Sequence, residues 1–105
     1  MSGDRFAWNL YWASFAVLVL VLVAFLLARG AGIMWAIAVA LPLLAGGANL
    51  FLRADAHERV CAIEVSRHRW LRLLTMGGYS RRAFLATGVL EIVAALVLGA
   101  WIAAR

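Results

Sequence analysis

The stretch Phe6–Ala28, FAWNLYWASFAVLVLVLVAFLLA, runs for 23 residues without a charged side chain. A helix needs about 20 consecutive apolar residues to cross the ~30 Å hydrocarbon core of a bilayer. This segment meets that length, and two others follow it. Ile33–Leu52 is 20 residues with no charge, and Ala83–Ala104 is 22 residues broken only by Glu91. None shows the strict alternation of a barrel strand, and only helices or closed barrels satisfy the backbone in lipid. The reading is an all-α integral membrane protein with three transmembrane helices, spanning 6–28, 33–52 and 83–104.

Composition leads to the same class. Of 105 residues, 67% are hydrophobic and 14% charged, against about 45–50% and about 25% in soluble domains. A chain this short buries only about two-thirds of its surface, so the surplus apolar area must face lipid or apolar protein. A single membrane domain, 1–105, is expected. The apolar core of the first span is too long for an ordinary signal peptide, and LLARGAG is a poor cleavage site. The lone Cys61 excludes an internal disulfide framework.

Charge distribution predicts the direction of threading. All ten basic residues are Arg, as a GC-rich genome would produce. Seven of them, Arg53, Arg59, Arg67, Arg69, Arg72, Arg81 and Arg82, lie between the second and third spans. With Arg5 this makes eight arginines on one side, against Arg29 and Arg105 on the other. The positive-inside rule then places the N-terminus and the long connection in the cytoplasm and the C-terminus outside. The expected location is a bacterial cytoplasmic (inner) membrane, in multi-pass form. Trp8, Tyr11 and Trp12 at one end, and Trp35 and Trp101 at the other, occupy positions that amphipathic rings prefer at the headgroup boundary.

Residues 54–75 contain neither Gly nor Pro and read as a cytoplasmic amphipathic helix. Ala56, Val60, Ile63, Trp70, Leu71 and Leu74 fall on one side at helical spacing. Basic charge together with Trp suits a helix lying in the membrane interface. Arg59, Arg67, Arg69, Trp70, Arg72, Arg81 and Arg82 are the expected contacts to lipid headgroups or a partner's cytoplasmic face. Nucleic acid is not an expected partner, because no fold surrounds these arginines that would present them to a groove. Glu64 is expected to make only ordinary surface contacts, to Arg59 or Arg67. His57, Cys61, Glu64 and His68 share a stripe of this helix, which makes His57, Cys61 and His68 weak metal candidates. The stripe is about 16 Å long at 1.5 Å per residue, too long for one ion, so no metal site is expected.

Glu91 is the one acidic residue inside a span. A charge at that depth costs at least a few kcal/mol, so the group must be paired, protonated, or turned toward protein or water. Gly88, Glu91, Ala95 and Gly99 share a narrow face of the third span, a small-residue groove of the kind another helix enters. Depth matching makes Ser14 the candidate intrachain hydrogen-bond partner of a protonated Glu91; otherwise its partner belongs to another subunit. Ala36, Ala40 and Gly47 form a second small face, on the second span, where Pro42 frees the Ala38 carbonyl. Those two faces are the expected helix-packing surfaces.

No nucleophile–base pair can be assembled from Ser14, Cys61 and the histidines, so enzymatic activity is not expected. No intrinsic cofactor is expected, since no His lies within a span; pigment or lipid contact would be confined to the boundary. The functional expectation is a non-catalytic accessory or assembly subunit of a larger membrane complex. An energy-transducing one, respiratory or photosynthetic, is suggested by analogy alone. Its partners would be larger membrane subunits and anionic lipids. The competing expectation is a small self-associating ion or proton channel or transporter that uses Glu91.

Overall fold

The computed structural model describes residues 2–67, 69–70 and 80–105. Among these residues there are four helices and no strand: α1 (Ser2–Ala28), α2 (Ile33–Leu52), α3 (Ala54–Arg67) and α4 (Arg81–Ala103). Three of them, α1, α2 and α4, are long and apolar enough to cross a membrane. The molecule measures 43 × 25 × 23 Å, and its long axis matches the ~40–45 Å of a bilayer with its headgroups.

The limits of α1, α2 and α4 lie within a few residues of the apolar segments 6–28, 33–52 and 83–104. The helix of α1 begins at Ser2 rather than Phe6. The polar turn stays helical because Asp4 and Arg5 find partners on α3, at Arg59 and Glu64. Pro42 lies inside α2 without ending it. Residues 71–79, with Arg72, and His68 lie outside the described residues.

The connection between α1 and α2 is built from backbone geometry. Arg29 adopts φ 50°. The Gly30 N–H donates to the Phe25 carbonyl at 2.9 Å and the Arg29 N–H to the Leu26 carbonyl at 3.3 Å, which is the Schellman termination of a helix. A Cβ on Gly30 would stand 2.8 Å from both the Phe25 and Trp35 rings, so only glycine fits between them. Gly32, at φ 95°, donates its N–H to the Ile102 carbonyl at 3.1 Å and joins this turn to the end of α4. Beneath it Phe25, Ala36, Val39 and Ile102 form the buried apolar cluster of this end. Arg105 closes it, its guanidinium 4.9 Å from the Trp101 ring centre and 5.6 Å from that of Phe25.

The most intimate helix pair is α2 with α4, which run antiparallel. Their small faces meet each other. A Cβ on Gly47 would lie 2.8 Å from the Gly88 carbonyl oxygen, and one on Gly88 would lie 2.7 Å from that of Gly47. Farther along, Gly99 faces Ala40 and Ala36, and Ala95 is buried. Such close approach gains dispersion contacts that lipid cannot replace. Both stripes of small residues are therefore consumed inside the chain. Bulky side chains of α1, among them Leu20, Leu26 and Leu27, face outward.

Candidate functional site

At the end opposite the Arg29 turn, α3 closes the bundle. A single residue, Arg53, separates it from α2. The face that α3 turns inward is a mixed one. Of the apolar side expected to lie in the membrane interface, Ala56 and Val60 are buried in the bundle, and Ile63 and Trp70 are about half exposed, at 49% and 53%. His57, Cys61, Glu64 and Val65 are buried as well. The reason is local: the bundle end offers Asn49 to His57 and Arg5 to Glu64, partners that offset much of the desolvation cost.

Asn49 is the hub of that arrangement. Its Nδ2 donates to the Ala7 carbonyl at 3.0 Å, which leaves Oδ1 as an acceptor facing His57 Nε2, also at 3.0 Å. Nε2 must then carry the ring proton. The other nitrogen, Nδ1, is buried with no hydrogen-bond partner among the described residues. Around the imidazole lie the rings of Tyr11, Phe84 and Trp8, with centres 5.6, 5.8 and 6.1 Å away. Burial, followed by the nearby Arg53 charge, pushes the His57 pKa down to about 4. The imidazole is therefore neutral at physiological pH. One turn on, burial pushes the Cys61 thiol up. It is a small apolar group among Trp8, Trp12 and Phe84 rather than a nucleophile. Among the described residues no three His, Cys, Asp or Glu side chains converge on a point where a metal ion could sit.

Deeper in the bundle the Tyr11 hydroxyl donates to Glu91 Oε1 at 2.8 Å. The expected donor, Ser14, instead bonds the Leu10 carbonyl of its own helix at 3.0 Å. Glu91 Oε2 is buried without a partner among the described residues, beside Gly46, where a Cβ would stand 3.4 Å from it. Glu91 also lines a small apolar notch with Tyr11, Phe15, Pro42 and Leu43.

The remaining acids follow one rule: each reaches a different helix. Asp4 on α1 accepts two hydrogen bonds from the Arg59 guanidinium on α3, at 2.8 and 3.0 Å. Asp55 on α3 pairs with Arg81 on α4 at 2.6 Å, and Glu58 accepts from the Arg81 backbone N–H. Glu64, expected to pair with Arg59 or Arg67, bridges instead to Arg5 on α1. Arg53 reaches the Gly3 carbonyl at 3.3 Å. Arg59 and Arg81, expected to contact lipid headgroups or a partner, also hold helices of this chain together. Arg67, Arg69 and Arg82 are exposed and have no acidic partner among the described residues.

Sequence reasoning missed Tyr11 and Asn49 as partners of Glu91 and His57. A weak signal was present: both lie in the end of their span nearest α3, within reach of those groups. Comparison of the chain with protein-family models, with curated proteins and with solved structures gives no match.

Proposed function

We propose that this chain is a non-catalytic subunit that assembles with larger proteins in a bacterial cytoplasmic membrane. Its N-terminus and α3 would be on the cytoplasmic side and its C-terminus outside. One observation carries the reading: all five carboxyl groups are engaged with a partner on another helix of the same chain. The acids act as fasteners. None stands in an open cleft with a base or nucleophile beside it, as acid–base or nucleophilic chemistry requires.

What remains outside the fasteners is an apolar belt of Leu, Val and Phe on α1, α2 and α4, suited to lipid and to apolar helices of a neighbour. The small faces that would otherwise invite a foreign helix are occupied internally, so assembly would use the bulky outer faces. An energy-transducing complex is the setting suggested by analogy.

One observation favours a second reading, a self-associating proton or ion pathway: Glu91 Oε2 lies buried, with no partner among the described residues, beside a notch between helices. Extraction of native membranes in mild detergent, with sizing and mass spectrometry of what co-migrates, separates the two. The subunit reading expects larger membrane proteins in fixed stoichiometry. A lone homo-oligomer that conducts protons in liposomes, and loses conduction with Glu91→Gln, would overturn it.

A further inference from the structure

The structure sorts the arginines of the α3 end into two classes that the sequence does not distinguish. Arg5, Arg53, Arg59 and Arg81 are held by Glu64, Asp4 and Asp55. Arg67, Arg69 and Arg82 are not held by any acid among the described residues. With the four acids of this end already engaged, the excess positive charge is concentrated on the unheld class.

Its placement is specific. Arg59 and Glu64 of α3, then Trp70 just past its end, meet Asp4, Arg5 and Trp12 of α1 in turn, the last through rings 6.4 Å apart. From Asp4 to Trp12 is about 12 Å of helix axis at 1.5 Å per residue. So α3 advances alongside the apolar part of α1 instead of standing clear of its polar end. Arg67 and Arg69 flank that lower end, and the half-exposed Ile63 and Trp70 lie beside them on the outer side. Basic groups next to exposed Trp and Ile, level with the entry of an apolar span, match the layering of phosphate over glycerol and acyl chain.

We infer that the C-terminal end of α3 is a seat for anionic phospholipid, with Arg67 and Arg69 binding the headgroup phosphate and Ile63 and Trp70 entering the acyl boundary. Arg82 adds to the attracting field. Charge complementarity and depth together select a lipid over a soluble occupant: an acidic protein surface would need the arginines to project beyond the bundle end, where the paired arginines sit instead.

The test uses the full-length chain in nanodiscs of mixed phosphatidylcholine and phosphatidylglycerol, with native mass spectrometry counting the lipids that stay bound. Enrichment of phosphatidylglycerol is expected, weakening with salt. Each arginine near an anionic surface contributes about fivefold, so Arg67→Gln with Arg69→Gln should lower the enrichment by about 25-fold at unchanged melting temperature. Arg59→Gln should do the reverse, lowering the melt and keeping the preference. Bulk lipid ratios on the parent protein would overturn the inference, whether or not the double variant folds, as would full enrichment in a folded double variant. Displacement by millimolar inorganic phosphate would make it a free-phosphate site, and loss of a co-extracted protein without lipid enrichment a protein-docking site; either contradicts the lipid seat.

Discussion

Replacing Gly88 with Ala tests the α2–α4 crossing at its tightest point. The new Cβ would stand 2.7 Å from the Gly47 carbonyl oxygen, 2.9 Å from the Phe51 nitrogen and 3.2 Å from the Phe51 Cβ. Two of those three atoms are backbone, so no rotamer change relieves the overlap and the helices must separate. Ordinary contacts of carbon atoms lie at about 3.5–4.0 Å, and overpacking of this kind costs about 1–3 kcal/mol. Alanine's better helix propensity returns up to about 1 kcal/mol, leaving a net loss of about 1–2 kcal/mol. On the scale of domains this size that is roughly 5–15 °C in melting temperature. Gly99→Ala is the contrast: its Cβ would meet Ala40 Cβ at 3.5 Å, an ordinary contact, so it should be neutral or slightly stabilising. Gly47→Ala strains the same crossing from the other side, against the Gly88 carbonyl oxygen at 2.8 Å. The double variant should therefore cost less than the sum of the singles, because the first separation accommodates the second methyl. Circular-dichroism melts in one detergent measure all four variants. A Gly88→Ala protein that melts at or above the parent, or strictly additive losses, would refute this packing.

Other outcomes follow from the polar groups. Tyr11→Phe leaves Glu91 without its hydroxyl donor and should cost about 1–3 kcal/mol, whereas Glu91→Gln keeps an acceptor and should melt near the parent; an equal loss in the Gln variant would mean the site needs a charge. His57 has its pKa lowered to about 4 from an unfolded value near 6.5. The unfolded chain thus binds the extra proton between those values, and stability is full above about pH 6.5 and falls toward pH 4 by about 2–3 kcal/mol. His57→Asn should remove that slope from melts taken across the window. Arg29→Gly relieves a positive φ in a non-glycine residue and should raise stability by about 1 kcal/mol, read from the same melts, while Gly30→Ala should lower it by wedging between Phe25 and Trp35.

The spans were legible because hydropathy over about 20 residues is a property of the chain alone. Which faces pair with which was not. The small stripes of α2 and α4 read equally well as surfaces for a foreign helix, and only their mutual register, Gly47 against Gly88, shows that they satisfy each other. The polar groups that α3 buries were hidden for a different reason. Periodicity marks only the apolar side of a helix, whereas His57 and Glu64 are buried against partners, Asn49 and Arg5, and a partner on another helix leaves no trace in local spacing. The choice of Ser14 for Glu91 failed on reach. Matching Cα depth ignores that a phenol extends far beyond a serine hydroxyl, so Tyr11 meets Glu91 from almost one turn nearer the end of its helix.

On the proposed reading the acids fasten the chain to itself and leave its outer apolar faces for larger membrane partners. Photocrosslinking in native membranes tests it most directly, with a photoreactive residue placed at outward-facing Leu20 or Leu96 and, as control, at buried Ala95. Discrete protein adducts of larger, reproducible mass are expected from at least one outward position, and intrachain products only from Ala95. Adducts of lipid alone, or only of a second copy of this chain, from both outward positions would contradict it.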